Sequence, residues 1–379
     1  MKHKLIFLFI LTLCLGMLPV LSFADSPPAT LTIDGVFFSE FPSVQEAVDA
    51  IGANSGTDFV IEIAAGTVTD ELQIIQQPLK NVVIRLQAGA TVTFTNAIKI
   101  DGNGNYYHPE TLLLEGLNFD LTSGAPQECI YFIKIPPDRP GNCYPHNITI
   151  NGCTFKGVYG YTVAVQSVGG GSRNIAIMNC TANDMHSLAQ LKAVGGYALI
   201  QNCVLSNSAG GVNYYGEEGN LVVDSCKLDV TNYAVRSGQD NSDPVVDTGS
   251  VTINNSILNS TSPTIGSVVL RGGSTSNIYI LHSNITNADP AGSVLQNLNE
   301  GYEDDYNIKL VESNLASEQI TGIDLQAIDT IDDPNVPNGP VNITGNGPDT
   351  TQIFLIAFLA VVIVVLLIII FAILGGQEA

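Results

Sequence analysis

Six polar residues could form a binding or catalytic face. Each follows an apolar residue in a similar local pattern: Gln166 after Val165, Lys192 after Leu191, Tyr215 after Tyr214, Arg236 after Val235, Arg271 after Leu270 and Gln296 after Leu295. In a strand, side chains alternate between faces, so the apolar partner points inward and the polar one outward. Stacked in register, Gln166, Lys192, Tyr215, Arg236, Arg271 and Gln296 would line one face. Arg pairs bidentately with carboxylates and Tyr offers a ring for stacking on a sugar, so the face suits an extended acidic or polyhydroxyl chain. The same cations could neutralise a uronate carboxylate and withdraw its α-proton, which is lyase chemistry. Hydrolysis would need a pair of carboxylates instead. No such constellation assembles clearly in the sequence, and the catalytic residues stay unassigned.

Metal chemistry has little support. The cysteines lack paired C-x-x-C spacing, so no zinc site is read. Asp240, Asp243 and Asp247, or Glu303, Asp304 and Asp305, could ligate calcium through oxygen, although acidic loops are more often simply solvated. No cofactor is otherwise implied. A formal net charge of -22 argues against a nucleic-acid partner, which needs clustered cations.

The elements that would position these residues come from an internal repeat. Two alternating apolar residues are followed, three positions on, by Cys or Ser (Leu in the first copy) and then by another residue returning to the core. The copies are Leu112/Leu114/Leu117/Phe119, Ile148/Ile150/Cys153/Phe155, Ile175/Ile177/Cys180/Ala182, Ala198/Ile200/Cys203/Leu205, Leu221/Val223/Cys226/Leu228, Val251/Ile253/Ser256/Leu258, Ile278/Ile280/Ser283/Ile285 and Ile308/Leu310/Ser313/Leu315. Their spacing, mostly 23 to 30 residues, is one coil of three short strands. Asn179, Asn202 and Asn255 precede the Cys/Ser position, where Asn tolerates the left-handed backbone of a tight turn.

On this repeat the chain resembles the pectate-lyase-like superfamily of right-handed parallel β-helices. The resemblance covers roughly residues 27 to 318 and implies an all-β, right-handed parallel β-helix solenoid with an N-terminal capping helix. Ser43-Val44-Gln45-Glu46 is a capping box, followed by the apolar stripe Ala47, Val48 and Ile51. The order of that helix, the segment from Val60 to Val68 and then the repeats resembles the start of members acting on polysaccharides.

The ends read as targeting segments. Lys2 and Lys4, the apolar run Leu5 to Leu18 and Ser22-Phe23-Ala24 form a signal peptide over 1–24. Residues 25–110 would be the cap and first coils, 111–318 the repeats and 319–352 a polar stalk rich in Asp, Pro and Gly. The uncharged stretch 353–374 would reach roughly 33 Å as a helix, enough for one membrane span, leaving 375–379 inside. The expected location is the cell membrane, single-pass, with the solenoid extracellular; a processed lipid anchor is the alternative. The expected partners are the membrane and an extracellular glycan or cell-envelope polymer. The function read from these features is non-catalytic glycan binding or adhesion, with a tethered polysaccharide lyase or glycoside hydrolase as the alternative.

With Cys14 in the leader, six cysteines remain in an oxidising compartment. Cys153, Cys180, Cys203 and Cys226 share the inward column as small buried thiols, replaced by Ser further along. Cys129 and Cys143 flank a Pro-rich loop and are the disulfide candidate. Sequons stand at Asn147, Asn179, Asn254, Asn259, Asn284 and Asn342, several at fixed repeat positions.

Overall fold

The computed structural model describes residues 26–330 except 76–79, 102–108, 133–146, 216–218, 239–248, 271–275, 299–305, 312, 314–319 and 324–327. The chain coils into a parallel β-solenoid of three ladders. The first ladder contains the strands Asp58–Ile63, Asn81–Leu86, Thr111–Glu115 and Asn147–Asn151, and continues through Asn220–Asp224, Ser250–Asn254 and Ser276–Leu281 to Tyr306–Val311. The second is a nine-stranded sheet from Gly66–Val68 to Asn284–Asn287. The third starts at Leu72–Ile75 and passes through Glu128–Phe132, Val212–Tyr214, Val235–Ser237, Val268–Leu270 and Leu295–Asn297. In two coils the strand does not break between third and first ladders: Val163–Met178 and Ser187–Gln201 each run through both.

The repeat fixes the register of the first ladder. Ile150, Ile177 and Ile200 are consecutive partners, flanked by Leu114 below and Val223, Ile253 and Ile280 above, and every one is fully buried. In the second ladder Phe94, Phe119 and Phe155 stack with centroids 5.1 and 5.2 Å apart before smaller residues take over. Each aliphatic side chain so buried contributes roughly 1.5–3 kcal/mol, repeated coil after coil.

One two-residue corner joins the first and second ladders. The residue before the Cys/Ser position has positive φ throughout: Gly152 (62°), Asn179 (55°), Asn202 (52°), Ser225 (54°), Asn255 (48°) and His282 (48°). Outside the corner the amides form a ladder, Asn179 Nδ2 donating to Asn151 Oδ1 at 2.8 Å and Asn202 Nδ2 to Asn179 Oδ1 at 3.2 Å.

The lower end is closed by α1, Val44–Ala53, which buries Val44, Ala47, Val48 and Ile51. Ser43 caps it by accepting from the Glu46 amide at 3.2 Å. Its other end is held by buried Lys80, whose Nζ donates to the carbonyls of Ile51 (2.8 Å) and Asn54 and lies 4.6 Å from the Phe59 ring. A cation there meets both the orphan carbonyls and the negative end of the helix dipole. Beneath the first parallel rung lies an antiparallel hairpin, β1 (Ala29–Ile33) and β2 (Val36–Phe41), turning at Asp34-Gly35. Helix periodicity gives no sign of this hairpin; its cue is the Asp-Gly pair.

One sequence boundary moves. The ladders do not stop at Glu318: Ile320–Thr321 pairs with Leu295 and Gln296, and Ile328–Thr330 pairs with Ile308 to Leu310. These strands are too short and too interspersed with Asp for periodicity to reveal them. The expected span 353–374 lies outside the described residues, and among those described no helix is long and apolar enough to cross a membrane.

Because Ile177 contacts the equivalent residues above and below, Ile177→Asp forfeits its own burial and places a carboxylate among aliphatics. We expect a loss of at least about 3 kcal/mol in urea denaturation. A variant as stable as the parent would refute this register.

Candidate functional site

The outward positions of the third ladder form one register line. Gln73 pairs with Lys99, Lys99 with Tyr131, Tyr131 with Gln166, Gln166 with Gln190, Gln190 with Asn213 and Asn213 with Arg236. Arg236 pairs with Val269, and Val269 with Gln296. Successive residues are therefore about 4.8 Å apart along the solenoid.

Of the six candidates, Gln166, Arg236 and Gln296 share this line. Lys192 and Tyr215 do not: the ladder pairs Leu191 with Tyr214 and Tyr214 with Ser237, which puts both two residues beyond the line, and it pairs Ser237 with Leu270, the residue before Arg271 in the sequence. Arg236 thus faces Val269, not Arg271. The error has a simple physical source. A shift of two residues preserves which side chains face inward, so an apolar residue followed by a polar one occurs at both positions and does not distinguish them. Gln190 and Asn213 were missed for that reason. Arg271 and the Lys192 side chain lie outside what the structure describes.

Geometry differs along the line. At its lower end Glu71 accepts from the Tyr131 hydroxyl at 2.8 Å and from Gln73 Nε2 at 2.9 Å, and lies 3.9 Å from Lys99 Nζ. Further up, Asn213 and Val269 are buried although they alternate with inward neighbours. Asn213 Nδ2 donates to the Tyr215 hydroxyl, while its Oδ1 has no hydrogen-bond partner among the described residues. The Arg236 guanidinium lies 5.7 Å from the Tyr233 ring, a cation–π arrangement. The middle of the line combines an acceptor, a cation and phenols. The Asn213 acceptor is buried, and the cation is the group that can receive a carboxylate.

On the inner side, Tyr214 is fully buried; its hydroxyl and that of Ser167 have no partner among the described residues, and burial pushes the Tyr214 phenol up. The four repeat cysteines point inward at the corner. Each thiol donates to the carbonyl two residues back, as Cys180 does to Met178 at 3.1 Å and Cys226 to Asp224 at 3.2 Å. Ser256 and Ser283 repeat the same bond at 2.8 and 2.7 Å, and their oxygens also accept the amides of Cys226 and Ser256 at 3.1 Å. Cys and Ser are interchangeable here as small corner donors. The Cys180 thiol and then burial push Cys153 up, while Cys180, flanked by the Cys153 and Cys203 thiols, is drawn downward.

Cys129 is a fully buried free thiol on an inner position, pushed up first by burial and then by the neighbouring Glu128 charge. The expected bridge to Cys143 therefore has no counterpart at Cys129; Cys143 itself lies outside the described residues. So do the calcium candidates Asp240, Asp243, Asp247, Glu303, Asp304 and Asp305, and the sequon Asn342. Among the described residues no cluster of three or more His, Cys, Asp or Glu is arranged to hold a metal.

The other sequons divide by burial. Asn254 is buried and donates to Asp224 at 2.9 Å, so its amide is not presented to solvent. Asn147 and Asn259 are half-buried and accept from Asn174 Nδ2 and Thr286 Oγ1. Asn179 and Asn284 are exposed.

Compared with family models, curated proteins and solved structures, the chain matches none.

A corner donor buried in this way should resist reagents in the native fold. Alkylation followed by mass spectrometry should leave Cys153, Cys180, Cys203 and Cys226 unmodified until denaturant is added. Ser256→Ala should cost about 1–3 kcal/mol by leaving the Cys226 amide without its partner, whereas Ser256→Cys should retain most of the stability. Native-state alkylation, or an Ala variant as stable as the parent, would contradict the corner role.

Proposed function

We propose that the protein is a membrane-anchored extracellular surface protein, built on a pectate-lyase-like right-handed β-helix, that binds a glycan or cell-envelope polymer along the third ladder without turning it over. The observation that carries this reading is the register line Gln73, Lys99, Tyr131, Gln166, Gln190, Asn213, Arg236 and Gln296. It offers hydrogen-bonding side chains at nearly every coil. A linear polymer lying along the axis would meet them in succession. Arg236, half-buried on this line, would take a carboxylate through its guanidinium.

Binding is favoured over turnover because the carboxylate that touches the line is already engaged. Glu71 takes hydrogen bonds from Tyr131 and Gln73 and pairs with Lys99, which leaves it poorly placed as a proton acceptor. The leader over 1–24 and the apolar stretch 353–374 support display outside the cell and anchoring.

The test uses the full chain in mild detergent, run through gels containing neutral or acidic polysaccharides, with and without calcium, while new reducing and unsaturated ends are assayed. We expect retention by an acidic polymer without product. Arg236→Gln should weaken retention several-fold, and the parent's retention should fall with salt as exposed charge contacts are screened. Product formation at catalytic rates would overturn the non-catalytic reading, and no retention by any polymer would overturn glycan binding.

A further inference from the structure

Beside the third ladder, the corner that leads into it from the second ladder carries two tyrosines in the open. Tyr159 is 47% exposed and Tyr161 42%, among the most exposed large apolar side chains described. They stand on a tight, internally bonded loop. The Val158 amide donates to Thr162 Oγ1 at 2.9 Å, and the amides of Tyr161 and Thr162 both donate to the Val158 carbonyl at 3.0 Å. Gly157 makes the closure possible, since a Cβ there would lie 2.5 Å from Thr162 Cβ. The Gly160 amide then ties the tip to the Met185 carbonyl on the next coil at 3.3 Å.

The Tyr159 hydroxyl is 2.5 Å from Thr231 Oγ1. Thr231 directly follows the strand Lys227–Val230, three rungs beyond Thr154–Lys156 in the second ladder. Three rungs are roughly 14 Å of solenoid axis. Loop and side chain together must therefore lean along the axis past two intervening coils, and the ring is held at both ends while nearly half of it remains in solvent. A surface tyrosine would ordinarily keep its rotamer freedom. Here that entropy has already been given up in the free protein, which lowers the cost of binding something against the ring.

Along the same corner, Tyr233 lies over Gly210, where a Cβ would meet its ring at 2.9 Å, and Arg236 lies 5.7 Å from that ring. Tyr161 and Tyr233 each stand two residues before a third-ladder strand, the first before the strand that carries Gln166 and the second before the strand that carries Arg236. A protein partner would need an interface core of many buried apolar residues. Around these rings stand glycine, threonine and the polar line. A ring with apolar faces and hydroxyl edges fits that mixture.

We propose that the Val158–Thr162 loop is a sugar-stacking platform, on which Tyr159 and Tyr161 take the apolar face of a pyranose in a polysaccharide whose hydroxyls reach the third-ladder line. This rests on the glycan-binding reading and deepens it. The platform acts through ring faces, so its contribution is independent of the charge of the sugar and of salt, in contrast with that of Arg236.

The test compares the full chain in mild detergent with the double variant Tyr159→Ala, Tyr161→Ala, in gels containing a neutral mixed-linkage β-glucan or polygalacturonate at matched low and high salt. Two stacked rings are worth about tenfold in affinity. We expect that loss for both polymers at both salt concentrations, with unchanged thermal stability, while Arg236→Gln affects polygalacturonate alone. Because the chain contains no Trp, Tyr161→Trp supplies a single fluorophore whose emission should shift on adding the β-glucan. This keeps the test open if the double variant folds poorly. Retention of both polymers by the double variant at parent strength would overturn the platform and leave the glycan reading standing. So would a loss confined to polygalacturonate at low salt, or a silent Trp while polymer is retained. A parent chain that retains neither polymer would overturn the glycan reading and the platform with it.

Discussion

The architecture depends on a corner of two residues. From the third coil on, the chain passes from the first ladder to the second by placing one residue in the left-handed region and the next inward, from Cys153 onward with a short donor. The left-handed residue reverses the chain within one step. The inward donor then adds a second hydrogen bond to the carbonyl two residues back, which already accepts the amide of the left-handed residue in the preceding coil. Because this corner keeps its length from Leu114 and Phe119 to Ile280 and Ile285, the apolar columns before and after it keep the same phase in those coils. An inserted residue would exchange inside for outside across a whole strand.

That constraint explains what the sequence disclosed and what it concealed. The corner tolerates few residue types, so Cys153, Cys180, Cys203, Cys226, Ser256 and Ser283 mark the coils and make the first two ladders readable by inspection. Even there the rule is chemical more than lexical: Ser225 and His282 adopt the left-handed backbone with no Asn or Gly to announce it. They accept a conformational cost that the surrounding hydrogen bonds hold in place. The third ladder has no such marker. Its strands are reached through corners of different lengths, and a polar residue after an apolar one fits the pleat at two positions. Arg236 was placed correctly, while Lys192 and Tyr215 were placed two residues out.

The chemistry of the interior follows the same economy. Thiol and hydroxyl perform one task at the corner, yet they differ in what they expose the protein to. Four stacked thiols would be open to oxidation, were they accessible. Full burial and bonding to carbonyls keep them inert. The Cys-to-Ser change along the solenoid is thus a substitution the backbone scarcely registers, which is why the column continues unbroken from Cys226 to Ser256.

Variation in length is concentrated between the third and first ladders. There the chain either runs on without a break, as in Val163–Met178 and Ser187–Gln201, or has several more residues in sequence before the next rung, as between Ser237 and Ser250. A solenoid can vary at this corner without disturbing the stacking, because the adjoining strands are already held by neighbours above and below. Function in repeat proteins is free to accumulate where the repeat imposes least. The polar register line lies on the ladder that borders this corner, and the tyrosine loop lies on that ladder's other side. The recurring corner between the first and second ladders sets the phase, and the third ladder is the face on which its demands leave the outward side chains free to vary.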